Sequence, residues 1–280
     1  MQERIVLPSF SVEQSSACSL NIHHRADQFS WCVTNRDMEC QAFGSLRTKS
    51  FGSGGREQLT ELFAGEELLQ AHYDRITVVI GNRVFTLSPQ PVSGPGEAEN
   101  LLGLSHKMVT SHVFHSGSFQ HQSGLIVWGM PTAEHDFFRQ RFAAPEFLHS
   151  MQILIDTAEL PIGTRVIHCN LHHEWFELAA FDNRKLGFCN AFTWRGPEDF
   201  LYFCAASYEQ TGLDMNADEL ILTGEVEYDD QVVKLVRKYV RNVKVRDETH
   251  GITFGSRFSS VRPHRHHTLF ASVIVSRIAA

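Results

Sequence analysis

An α/β chain made of two copies of one unit is predicted here, each copy running βββαβ and the second continuing into a further helix and strand. Two matches at one spacing carry the first half of that expectation. Asn21 is followed by His23 and His24, and Asn170 by His172 and His173, an offset of 149 residues. Nineteen residues after each asparagine stands a second pair of matching stretches, Cys40-Gln41-Ala42-Phe43 and Cys189-Asn190-Ala191-Phe192, preceded by Asn35-Arg36 and Asn183-Arg184. The third observation is periodicity: runs with apolar residues at every second position give way, after each match, to runs with apolar residues at helical spacing.

In the first copy, 18–22, 29–34 and 39–46 read as three strands with short gaps, hence an antiparallel meander. A Gly-Ser stretch at 51–55 leads into a helix with Leu59, Leu62, Phe63, Leu69 and Tyr73 on one face, and 76–80 is a buried-type strand closing at Gly81-Asn82. An insertion at about 83–130 adds strands at 85–87, 108–114 and 125–127 around a Pro-Gly-rich loop at 88–96. Helices are expected at 132–143 and 147–159, separated by Pro145.

The second copy places strands at 165–171, 175–181 and 186–194. Pro197, with Glu198 and Asp199 beside it, suits a helix N-terminus, and Gly212 suits its end. A strand at 219–223 closes at Gly224, and a basic helix at 231–242 precedes a strand at 243–245. The tail from 249 is rich in Gly and His up to 269–278, which fits a helix or a strand. Two domains are expected, 1–160 and 161–280, the second carrying the basic, His-rich tail.

Composition narrows the function classes. With 42% hydrophobic and 20% charged residues in 280 positions, the chain is globular. Its first sixteen residues lack a signal layout and its longest apolar runs, 125–130 and 269–275, fall far short of the ~18 residues that span a bilayer. No membrane insertion and a soluble, cytoplasmic protein are expected. The six cysteines form no Cys-x-x-Cys pair, which argues against disulfides and zinc ribbons. Sixteen histidines, densest at Pro263-His264-Arg265-His266-His267, include no His-Glu-x-x-His framework, so no metal site is assigned. The stretch at 51–55 lacks the Gly-Lys-Ser/Thr ending of a phosphate loop, and no nucleophile-elbow or cysteine-protease signature is present, so no catalytic residue is named.

Charge is uneven: 231–280 holds ten Lys or Arg and two acids, against fifteen and thirty in the rest. In 231–242 Val232, Leu235, Val236, Tyr239 and Val240 take one helical face and Lys234, Lys238 and Arg241 the other, as a solvated face would. Nucleic-acid binding through the basic C-terminal stretch is the competing reading.

The stretch RKLGFCNAFTWRGPEDFLYF (184–203) with ELILTGEV (219–226) resembles an uncharacterised bacterial family, found chiefly in Bacteroidetes, whose members share Leu-x-Phe-x-Asn-x-Phe, Glu-Asp-Phe and a strand ending in Gly. Two tandem βββαβαβ (RNase H-like) units also look like the actin-like ATPases. That resemblance implies an actin-like two-domain architecture with an embellished first domain, and ATP or ADP as the ligand to consider. In that superfamily the first hairpin of each unit carries Asp-x-Gly, the Asp positioning metal or water and the Gly admitting phosphates. Both copies here depart from it, as Asn21-Ile22-His23 and Asn170-Leu171-His172, and the Gly-Gly adenosine loop is reduced to Thr223-Gly224-Glu225. Asn21, His23, Asn170, His172 and Gly224 are therefore the candidate cofactor-binding residues.

Strand alternation puts Asn21 with His23, and His168 with Asn170 and His172, on faces opposite Leu20, Ile22, Cys169 and Leu171. If the two units pack as in the superfamily, these rows line the interdomain cleft. The expected function is a non-catalytic, degenerate actin-like binding or scaffold module with a protein partner and at most weak nucleotide binding. The alternatives are an ATP-dependent phosphotransferase using Asp182 or Glu174, and an RNA-associated factor using 231–265.

Overall fold

The structure, a computed structural model, describes residues 3–47, 55–89, 91–92, 96–107, 110–158 and 160–278. Of the expected glycine loop at 51–55 only Gly55 is among them, and parts of the 88–96 loop and the 108–114 strand lie outside. Two compact units emerge, the first made of Met1–Ile153, His250–Val261 and Thr268–Ala280, the second of Leu154–Thr249 and Arg262–His267. The sequence reading assigned all of 161–280 to the second domain. Two of its segments join the first unit because Ile252, Phe258, Val261, Leu269, Phe270 and Val273 share one buried apolar cluster with Cys32, Cys40 and Phe43.

The first unit opens with β1 (Glu3–Val6), β2 (Ser19–Arg25), β3 (Gln28–Thr34), β4 (Cys40–Arg47), α1 (Gly55–Ala64) and β5 (Arg75–Gly81). Next come β6 (Phe85–Ser88), α2 (Glu97–Gly103), β7 (His112–Ser118), β8 (Leu125–Pro131), α3 (Thr132–Arg141), β9 (Glu146–His149) and α4 (Ser150–Asp156), whose residues from Leu154 on count with the second unit. Its main sheet has the order β1-β4-β3-β2-β5-β9, and β6-β8-β7 form a separate small sheet. The meander β2-β3-β4 is antiparallel, whereas β5 and β9 join in parallel. Every residue of β3 is buried, the pattern of a strand covered on both faces.

Three expectations shift. The short β1, which alternation over four residues did not reveal, covers the edge of β4. The helix expected at 147–159 divides into β9 and α4, because Glu146–His149 pairs with Thr77–Ile80 and tertiary pairing outweighs local propensity. The helix expected to carry Leu69 and Tyr73 stops at Ala64. Gly65 closes its last turn on the Glu61 carbonyl, and Glu66 turns extended, its carboxylate held by Arg4 at 2.6 and 3.0 Å.

The second unit is built from β10 (Arg165–Leu171), β11 (Trp175–Asp182), β12 (Lys185–Thr193), α5 (Pro197–Thr211), β13 (Glu219–Gly224), α6 (Gln231–Val236) and β14 (Asn242–Val245). Its sheet order, β12-β11-β10-β13-β14, repeats β4-β3-β2-β5-β9 of the first. The registers agree as well: Asn21 sits beside Thr77, and Asn170 beside Thr223. As expected, Pro197 starts α5 and Gly212, in the left-handed region at φ 68°, ends it. The basic helix is shorter than its periodicity suggests; Val232, Val233, Val236 and Val240 are buried, while Tyr239 is exposed. The undecided segment 269–278 is helical, within α7 (His267–Ile278).

Candidate functional site

The same Asn-x-His-His sequence sits in two different hairpins. In the first unit β2 runs on through His23, His24 and Arg25, and the chain turns at 26–27, where Asp27 takes two hydrogen bonds from Arg25 at 3.0 and 3.3 Å. In the second, β10 stops at Leu171, so His172 and His173 belong to the turn. Asn21 is consequently mid-strand and Asn170 one residue from a strand end.

Asn21 is 1% exposed and donates from Nδ2 to the Ser272 hydroxyl on α7 at 3.0 Å. His23 is buried beside Gly81, where an added Cβ would come within 2.9 Å of the His23 Nε2. His24, pointing to the other face, meets Glu134 at 3.1 Å and the edge of Phe138. Asn21, expected to line the interdomain cleft, is thus engaged by a residue of its own unit.

The second row converges on a residue that sequence reasoning passed over. Glu177, directly opposite Asn170 on β11, is fully buried. One of its oxygens, Oε2, accepts from Asn170 Nδ2 at 3.1 Å and lies 3.3 Å from His172 Nε2. The other side of Asn170 is engaged too, its Oδ1 taking the Thr223 hydroxyl at 3.4 Å. His172 is fixed from three directions: its ring lies 4.2 Å from that of Trp175, its N–H donates to the Trp175 carbonyl, and its carbonyl accepts the Trp194 indole N–H at 3.0 Å.

Gly224 closes this cluster. Its φ of +85° suits only glycine comfortably, and a Cβ there would stand 2.7 Å from Asn170 Oδ1 and closer still to the Leu171 carbonyl. That tight approach lets Glu225 N–H donate to the same carbonyl at 2.7 Å. Asn170, His172 and Gly224 are therefore brought together, while Asn21 and His23 lie in the other unit. The signal for Glu177 was present: an acid between Phe176 and Leu178, in an apolar run, on the face shared with Asn170.

His168 continues the row. It is buried edge-on to Phe181, its Nε2 has no hydrogen-bond partner among the described residues, and burial, with Arg246 adding to it, lowers its pKa to about 3. Of the two carboxylates named for phosphotransfer, one is remote from this cluster and the other shares its turn. Asp182 is 62% exposed at the far end of β11, beside Arg165, and Glu174 is exposed in the turn.

Among the described residues no group of three or more His, Cys, Asp or Glu is poised to hold a metal. The cluster at 263–267 forms a 3-10 turn entering α7, with His264 between Asp247 at 3.1 Å and Glu227 at 3.7 Å. Part of the basic stretch is neutralised locally, through Lys244–Glu219, Arg246–Glu248 and Arg265–Glu227. No described helix is long and apolar enough to cross a membrane.

Comparison with known proteins agrees with this geometry at the level of fold. The family described as Protein of unknown function (DUF3822) matches residues 7–243. The chain belongs to that family. A DUF3822 chain of this fold is similar to a Bacteroides thetaiotaomicron protein of actin-like ATPase fold and unknown function, at 17% identity over 95% of this chain and 98% of that one, with a TM-score of 0.80. It is also similar to a chain of the PilM-PilN type IV pilus biogenesis complex, at 14% identity over 91% and 96%, with a TM-score of 0.56. No curated protein sequence matches it. The DUF3822 chain thus has the actin-like ATPase fold.

Proposed function

We propose that this DUF3822 protein is a degenerate actin-like module that works by binding a protein partner and does not turn over ATP. One observation carries the reading: Asn170 and His172, which stand where the superfamily's Asp-x-Gly would be, both engage the buried Glu177. Turning either group toward a phosphate would strip a fully buried carboxylate of a donor, at a cost of about 1–3 kcal/mol per lost bond. Neither copy of the motif retains the carboxylate that would hold magnesium, which prefers hard oxygen ligands.

A protein partner is favoured over RNA because the acids Glu219, Glu248 and Glu227 already answer three of the basic side chains. The likeness to a chain of the PilM-PilN complex adds a precedent for this fold within a protein assembly. The test is initial-rate ATP hydrolysis by the full chain with magnesium, beside Glu177→Gln. No rate above buffer is expected from either protein. Magnesium-dependent turnover in the wild type that Glu177→Gln abolishes would overturn the proposal and favour phosphotransfer.

A further inference from the structure

At the end of the first unit's sheet opposite the β2–β3 turn, three arginines meet around one small cavity. β2 begins there at Ser19, the parallel β5 begins at Arg75, and β3 ends at Thr34, opposite Ser19. The cavity, of about 220 Å³, is lined by Ala17, Ser19, Arg36, Asp74, Arg75 and Arg277. Against a water's share of ~30 Å³ it has the room of roughly seven waters, enough for a phosphate or diphosphate group.

The arginines are held in place without being neutralised. Arg277 donates to the carbonyls of Arg36 at 3.0 Å and Asn35 at 2.6 Å, tying the end of α7 to the β3–β4 turn. Arg75 donates to the Ser276 carbonyl. Carbonyls fix a guanidinium's position but leave its charge, and each fork keeps unused N–H groups. Arg36 is exposed, and its side chain makes no hydrogen bond or ion pair among the described residues.

No carboxylate forms an ion pair with any of the three among the described residues. Asp74 is the one acid in the lining, and Glu146, beyond Arg75 in a neighbouring depression of about 590 Å³, feels the Arg75 charge without pairing to it. Three cations facing one acid repel each other unless something between them is negative.

We propose that this cavity is a binding site for a small, multiply charged oxyanion of the phosphate or diphosphate class. Guanidinium forks match such groups bidentately, and two of the three are already held by backbone carbonyls, which reduces the ordering needed on binding. The site is independent of the Glu177 hairpin, which lies in the other unit.

The test is calorimetric titration of the full chain with inorganic pyrophosphate, with sodium chloride at matched ionic strength as the reference. Arg36→Gln is the informative variant, since that side chain makes no hydrogen bond or ion pair among the described residues, and Lys185→Gln on the exposed edge of β12 controls for general loss of charge. Saturable binding is expected in the wild type and in Lys185→Gln, weakened about tenfold or more in Arg36→Gln. Asp74→Asn, which removes the one opposing charge in the lining, is expected to bind more tightly. In chloride alone Arg36→Gln should melt at or above the wild-type temperature, because it removes repulsion. Absence of saturable binding, or equal affinity in Arg36→Gln and wild type, would overturn the proposal. So would a thermal shift that chloride at matched ionic strength reproduces.

Discussion

Removing Glu177 tests whether the second hairpin is held by its own polar residues. Glu177→Ala removes the carboxylate oxygen that Asn170 Nδ2 and His172 Nε2 share, in a region where all three residues are at most 1% exposed. Each of the two lost bonds costs about 1–3 kcal/mol. The truncated side chain adds a cavity term. A total of about 4 kcal/mol follows, a large part of the ~5–15 kcal/mol typical of a folded domain. Glu177→Gln, which keeps one acceptor, should cost about 1–2 kcal/mol.

Urea unfolding followed by tryptophan fluorescence suits this measurement, since Trp175 and Trp194 both touch His172. A double-mutant cycle with His172→Ala should return a coupling of about 1–3 kcal/mol. A Glu177→Ala protein within about 0.5 kcal/mol of wild type, or a coupling near zero, would refute the reasoning.

Other consequences are as direct. Gly224→Ala combines a left-handed backbone with a Cβ pressed on Leu171 and Asn170, and should lose about 3 kcal/mol by thermal or urea unfolding. Gly212→Ala, also left-handed but with open space around it, should lose only about 1 kcal/mol; equal losses would contradict the close-approach argument. His168 has a folded pKa of about 3 against an ordinary 6.5, so as pH falls below 6.5 the unfolded chain takes up the proton first. Its contribution is complete above pH 6.5 and shrinks by about 1.4 kcal/mol per unit toward pH 3. His168→Phe should flatten the acid limb of a stability–pH profile by that slope, and an unchanged limb would show that His168 titrates normally when folded. Burial raises the thiols of Cys32, Cys40, Cys169 and Cys204, the second and fourth to about 12, so a thiol reagent at pH 8 should label them only on unfolding. Rapid labelling of the native chain would contradict their placement.

The elements were legible in the sequence wherever period and length agreed, as in β10, β11 and α5. What escaped depends on contacts between distant segments. The four residues of β9 look helical until β5 pairs with them, and 250–261 with α7 join the first unit through an apolar cluster that no local pattern announces. The candidate site was legible in part. Asn170, His172 and Gly224 were named from a resemblance and do meet, whereas Glu177, the group that binds two of them, hides as one acid in an apolar strand. Alternation marked Asn21 and His23 as a polar row but carries no information on what covers it, and Ser272 comes from 251 positions away. The repeated motif even misled locally, since the two His-His pairs occupy a strand in one unit and a turn in the other.

We propose that the hairpin at 170–177 engages Asn170 and His172 with Glu177 instead of with a phosphate. Calorimetric titration of the full chain with ATP and with ADP, each with and without magnesium, tests it most directly. No magnesium-dependent binding heat is expected. A saturable, magnesium-dependent signal that is lost in Asn170→Ala would contradict it, because it would mean that this amide reaches a phosphate.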